Sequence, residues 1–306
     1  MRYLLIIYLK IRNLLKKFLF FIFSENSRII NLFVTIDIFI RKSGFLNQFI
    51  RGKFKYDELV FYHDPSDTSV ASSILTNGTY EPELLSEIRK TLKSGAVFIE
   101  GGANIGFFSL IAAKIIGPTG VVIAFEPTPT TYGYLKKNIK INNISNVIIS
   151  NSGLSSSEKS QSFLLSPHPE ENSIIDCSSK SLKSGTKIIN IKTVTIDKFC
   201  QNNNLKKVDL IKLDIEGQEL EAIKGAKEIL LKNKNIKIIF ELNIAYQENG
   251  IEFANQIFTE LKRLNFSNFQ ALLEPRIFIK DLNNLEDVEL LKKITRRHNV
   301  NILATR

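Results

Sequence analysis

Acidic residues stand at the ends of four apolar runs. Glu100 closes "VFIE", Glu126 follows "VVIAF", Asp214 closes "VDLIKLD" and Glu241 closes "IKIIFE". One carboxylate at a strand end is an ordinary helix cap, whereas four in succession fit a site along one rim of a sheet. The Asp214 stretch continues as "DIEGQE", with Glu216 and Gly217 two and three residues on and Lys212 two residues before. Strand alternation puts Leu210, Lys212 and Asp214 on one face. A lysine inside an apolar strand is costly unless paired, and Asp214 and Glu216 are its nearest partners along the chain. Such a cluster can supply a general base: Asp214 first, Glu216 second, Glu241 third. Lys212 would orient Asp214 or hold an acidic acceptor. A buried ion pair that only shapes the loop is the alternative.

The other chemical stretch is "VFIEGGANIGFFSL". After Glu100 come Gly101, Gly102, Ala103, Asn104 and, past Ile105, Gly106. Gly102 permits a close backbone approach, and Asn104 is the non-glycine type that best tolerates positive φ. Gly106 lets a helix start against the strand. The turn does not spell the G-x-G-x-x-G of a dinucleotide site, and it holds no basic residue to meet a pyrophosphate. A carboxylate at Glu100 suits a ligand bearing an ammonium or sulfonium group. Glu126 stands at the end of the next strand, where an acid can accept bonds from both ribose hydroxyls. Pro127 and Pro129 stiffen the loop behind it. Acid, glycine turn and ribose acid together point to S-adenosylmethionine, with a different nucleotide fold as the alternative.

These residues need a sheet to bring them together. Apolar runs alternate with amphipathic helical patterns from about residue 80, which implies an α/β fold with a mostly parallel sheet covered by helices. Strands are expected at 97–100, 121–125, 146–150, 188–194, 208–214, 236–241 and 299–305. Helices are expected at 106–116, 130–142, 218–231 and 252–264, the last clear helix. A hairpin and a loop fill 151–187, and a short turn falls at Asp197. Ligands of open sheets of this kind bind outside the carboxyl ends of the strands, where the acids lie.

The charge of the chain is unevenly placed. Of a net +10, residues 1–55 contribute +9 (11 Lys/Arg against Glu25 and Asp37) and residues 56–306 only +1 (30 against 29). A near-neutral globular part gives no basic face for nucleic acid, and no nucleic-acid partner is expected. The basicity belongs to an N-terminal extension, 1–55, ahead of a catalytic domain at 56–306. Residues 1–23 read as an apolar helix with a basic stripe (Lys10, Asn13 and Lys17, flanked by Arg12 and Lys16) that no uncharged run makes long enough to span a bilayer. It suits the surface of an anionic membrane, or alternatively packs on protein. The expected location is the cytoplasm, with the extension peripheral on the inner face of the membrane. Two cysteines, Cys177 and Cys200, and three scattered histidines, His63, His168 and His298, show no metal-ligand spacing. No metal site is expected; a divalent ion on Asp214 and Glu216 is the alternative.

In order along the chain, "GTYEPEL", "IEGGANIGFFSL", "AFEPTP", "TVTIDKF" and "DLIKLDIEGQELEAIKGA" resemble the FkbM-type S-adenosylmethionine-dependent methyltransferases. The resemblance covers roughly 78–305. It implies a class I methyltransferase (Rossmann-like) sheet of seven strands, the last antiparallel, with helices on both faces. It also implies O-methylation, often of sugars in glycans, lipid-linked saccharides or secondary metabolites. Glu81, in the first block, would close over the methionine end of the cofactor. Three positions depart from the family's usual pattern: Glu100 replaces Asp, Thr128 replaces Asn, and Ile223 replaces Leu. None removes a carboxylate. A methyltransferase acting on nucleic acid or protein, or a non-catalytic membrane-associated S-adenosylmethionine-binding protein, are the rival readings.

Overall fold

The computed structural model describes Leu15 and residues 52–64, 69–165, 173–174, 186–244, 249–280, 282, 284–295 and 299–306. The chain divides into two compact units. One runs to Pro82 and takes in Lys140–Asn142; the other comprises Glu83–Ile139 and Asn143–Arg306. The proposed membrane helix at 1–23 lies, Leu15 apart, outside the described residues. Among the described residues no helix is long and apolar enough to cross a membrane.

In the first unit, β1 (Lys53–Tyr56) and β2 (Leu59–Tyr62) form an antiparallel hairpin, followed by helix α1 (Ser69–Asn77). Phe54 and Phe61 face each other in register and stack at 5.2 Å. The amide of Asn142 serves the hairpin as a strand would. Its Oδ1 accepts from Val60 N and its Nδ2 donates to Val60 O, both at 2.8 Å.

The second unit opens with α2 (Pro82–Thr91) and then alternates strand and helix: β3 (Val97–Gly101), α3 (Phe107–Ile116), β4 (Val121–Phe125), α4 (Pro129–Ile141) and β5 (Val147–Ser150). There follow β6 (Gly153–Leu154), β7 (Lys159–Leu165), β8 (Ser173–Ile174) and β9 (Lys187–Val194), which make a small sheet in the order β6-β9-β7-β8. Helix α5 (Ile196–Asn202), β10 (Leu210–Leu213), α6 (Glu219–Lys224), α7 (Lys227–Lys232), β11 (Lys237–Leu242) and α8 (Gly250–Arg263) continue the alternation. The chain ends with β12 (Asn268–Ala271), β13 (Ile277–Ile279), α9 (Leu285–Thr295) and β14 (Val300–Thr305).

The main sheet has the order β5-β4-β3-β10-β11-β14-β12-β13. β5, β4, β3, β10 and β11 are parallel, and β14 inserts antiparallel between β11 and β12. This is the class I methyltransferase sheet, extended at one edge by an eighth strand, β13, that doubles back on β12. β10 is buried at all four positions because the sheet is covered on both faces.

Three local expectations change. The expected turn at Asp197 is helix α5, started by Thr195, whose hydroxyl accepts from Lys198 N at 3.1 Å. The single helix expected over 218–231 is two. Asp197 accepts from Glu228 N and Ile229 N at 2.8 Å each, and so caps the start of α7. At the break, a Cβ on Gly225 would lie 2.2 Å from the Ser155 carbonyl oxygen, so only glycine fits the approach. Helix α9 follows the helix read as the last, although Leu285, Val288, Leu291 and Ile294 recur every third residue along it.

Candidate functional site

Four parallel strands, β4, β3, β10 and β11, bring their carboxyl ends to one rim. The turn after β3 is fastened to its neighbours on both sides. Gly102 N and Ala103 N both donate to Phe125 O at the end of β4, at 3.1 and 2.9 Å. Gly102 has φ 74, and a Cβ there would lie 1.9 Å from the Asp214 carbonyl oxygen. The close approach that the glycine permits is therefore to the chain itself, drawing the β3 and β10 turns together. Asn104 takes φ 51 and accepts from Ile105 N through its own Oδ1 at 2.7 Å. Gly106 has φ 89, and its bare Cα makes room for Leu135 of α4.

Glu126 links the two turns. Its Oε2 accepts from Asn104 N at 3.0 Å and its Oε1 from Thr128 N at 2.9 Å. Burial pushes its carboxyl up to about 7, against the pull of the Thr128 and Asn104 amides. Asn151 holds the Glu126 and Pro127 carbonyls at 2.8 and 3.0 Å, and Pro129 begins α4. The Thr128 side chain bonds the same carboxylate, and since two carboxylate oxygens together accept about four bonds, acceptor capacity is left for a further donor. The residues thus fit a hydroxyl of a ribose.

Glu100 has a different neighbour from the one its position implied. It is the ladder partner of Lys212 across β3 and β10. Lys212 Nζ lies 3.6 Å from Glu100 Oε1 and 3.2 Å from Asp214 Oδ2, with the Phe108 ring 5.1 Å away. The hydroxyl of Ser109, on α3, donates to Glu100 Oε2. The Lys212 and Glu100 side chains are 2% and 1% exposed, Asp214 22%. The cation beside Glu100 is therefore a lysine of the chain, and Lys212 sits too deep to hold an acidic acceptor. Burial raises the Glu100 carboxyl to about 7, with the Lys212 charge the main opposing influence.

Asp214, Glu216 and Glu241 converge, each offering an oxygen within 4.8 Å of the others. All three catalytic-base candidates thus meet at one point, Asp214 with a buried ammonium behind it. These are also the residues that could hold a cation. Glu81, with φ 43, belongs to the first unit. The loop around 166–172 lies outside the described residues.

Sequence reasoning missed two residues. Ser109 stands alone as a polar residue in the apolar "FFSLIAA", a signal that was present. Glu219 is 2% exposed, and its Oε1 accepts from Ile215 N at 3.0 Å and Gly217 N at 3.3 Å. Only its place in "EGQE" marked it.

Residues 100–267 match the Methyltransferase FkbM domain, more than half of the 306-residue chain. The chain belongs to the FkbM methyltransferase family. S-adenosylmethionine is the cofactor that goes with it, in accord with the Glu126 geometry. Among curated relatives of this FkbM chain, Methyltransferase 1 of Beauveria bassiana is 27% identical over 142 residues, 42% of this chain and 57% of that protein. The hexuronic acid methyltransferase AglP of Haloferax volcanii is 29% identical over 150 residues, 49% of this chain and 58% of that one. The chain thus spans less than two thirds of these relatives' length. Among solved structures, a SAM-dependent methyltransferase from Aquifex aeolicus aligns with a TM-score of 0.39 at 14% identity, over 78% of this chain and 93% of that one.

Proposed function

We propose that the protein transfers a methyl group from S-adenosylmethionine to a hydroxyl oxygen of a saccharide, on a glycan, lipid-linked sugar or secondary metabolite. The observation that carries this reading is the convergence of Asp214, Glu216 and Glu241 at the rim, with the Asp214 carboxylate 3.2 Å from a buried Lys212. The bound cofactor supplies an electrophilic methyl carbon, whose transfer to oxygen breaks its bond to sulfur and leaves S-adenosylhomocysteine. Glu126 would hold the ribose, while the glycine turn, drawn against the β10 turn, brings that rim beside the Asp214 carboxylate. Asp214 would take the proton that the acceptor hydroxyl loses as the new C–O bond forms. A base so placed contributes about 10²–10⁴-fold, and alignment of the reactants supplies more. Lys212 holds the Asp214 carboxylate in place through its 3.2 Å contact. Acidic side chains outnumber Lys212 at this rim, a balance that favours a cofactor carrying a sulfonium and an ammonium. A sugar acceptor draws support from AglP, a hexuronic acid methyltransferase by name.

The test is methyl transfer from labelled S-adenosylmethionine to uronic-acid and neutral oligosaccharides. Asp214→Asn should lower turnover by about 10²-fold or more while leaving S-adenosylhomocysteine affinity within about threefold. Normal turnover in that variant would remove Asp214 as the base.

A further inference from the structure

Three carboxylates within 4.8 Å repel one another, so something must hold their loop in place. At its start the loop is fixed by backbone: Asp214 N donates to Gly101 O at 3.2 Å, and the Asp214 carbonyl fills the space that Gly102 leaves. At its end the chain passes through two consecutive left-handed residues, Glu216 at φ 53 and Gly217 at φ 91. The left-handed region is unfavourable for a glutamate by roughly 1 kcal/mol. One atom spans that bend: Glu219 Oε1, which takes the N–H groups of Ile215 and Gly217, the residues on either side of Glu216. The side chain is buried at the first turn of α6, so its position is set by the helix and not by the loop.

We propose that Glu219 is a positioning residue, whose single oxygen clamps the 215–217 bend and so fixes the Asp214 and Glu216 carboxylates toward the bound sulfonium. The inference rests on the methyltransferase reading of the rim. It requires an acceptor oxygen at Oε1, and does not require a negative charge there. Glutamine, which keeps that oxygen, should therefore preserve the clamp. Alanine removes it, and aspartate keeps the charge but withdraws the oxygen.

The test needs no acceptor. In the full chain, amide exchange at Ile215 and Gly217 and the affinities for S-adenosylmethionine and S-adenosylhomocysteine are measured for the unmodified protein, Glu219→Gln, Glu219→Ala and Glu219→Asp. The two ligands differ by the methyl group and its positive charge, so their affinity ratio reads the carboxylates facing the sulfonium. A loss of overall stability would not move that ratio. Glu219→Ala and Glu219→Asp should lose protection at both amides. Their affinity ratio should fall about three- to fivefold, the size of a partly exposed charge interaction. Glu219→Gln should match the unmodified chain. Retained protection and an unchanged ratio in Glu219→Asp would overturn the proposal, as would a Glu219→Gln variant as defective as alanine. If Glu219→Ala does not fold, the aspartate and glutamine variants decide. Failure of the unmodified chain to bind S-adenosylmethionine would overturn the functional reading instead, and the exchange data would still decide on the clamp.

Discussion

Lys212 and Glu100 occupy paired positions on adjacent parallel strands, their charged atoms 3.6 Å apart and both side chains almost wholly buried. Removing one member of a buried ion pair leaves an uncompensated charge, at a cost of about 3–5 kcal/mol. Lys212→Met should therefore unfold at markedly lower denaturant. The double variant Glu100→Gln/Lys212→Met should regain part of that loss, because the fully buried carboxylate is gone and only Asp214, 22% exposed, loses its partner. Denaturation midpoints of the two single variants and the double form the cycle that checks this.

Gly102→Ala tests the contact between the β3 and β10 turns. The added Cβ would lie 1.9 Å from the Asp214 carbonyl, on backbone at φ 74. Both the clash and the left-handed backbone disfavour alanine, and a loss of at least about 2 kcal/mol is expected. Cofactor affinity should fall with it, since the turn cannot close. A variant with native stability would show that the turns are not locked together.

The Glu126 carboxyl carries a stability signature of its own. Its folded value of about 7 stands above the ordinary 4.5, because burial disfavours the charged form. The folded state thus holds the proton more tightly, and this contribution is complete below pH 4.5 and lost as pH rises through 7. Unfolding free energy measured for the unmodified chain and Glu126→Gln should diverge between pH 5 and 8 by about 1–3 kcal/mol, the unmodified chain losing more on the alkaline side. Glu126→Ala should also weaken S-adenosylmethionine binding, which calorimetry would read directly.

The Asp214–Glu216–Glu241 cluster makes metal dependence a sharp question. With Asp214 acting as base beside Lys212, turnover should survive EDTA treatment and gain nothing from added magnesium or manganese. Abolition by EDTA with recovery on either ion would make the three carboxylates ligands.

The strand–helix alternation, the glycine turn, and the rim positions of Glu100, Glu126, Asp214 and Glu241 were legible in the chain itself. Each rests on local signals: apolar runs, period, and residue types with special backbone freedom. The Lys212–Asp214 contact was legible too, because two positions of one strand share a face. What the sequence could not reveal is which strand lies beside which. β3 meets β10 only after six other strands, β4 to β9, have been laid down elsewhere, and that adjacency makes Glu100 the partner of Lys212. The same adjacency places the Asp214 carbonyl in the gap left by Gly102. Asp197 and Glu219 follow the same rule. Their carboxylates hold backbone N–H groups whose need for a partner appears only once the chain has turned. Residue types and local period thus determined the rim and its acids by themselves. The tertiary structure decided their partners, because burial and strand order set which charges must neutralise one another.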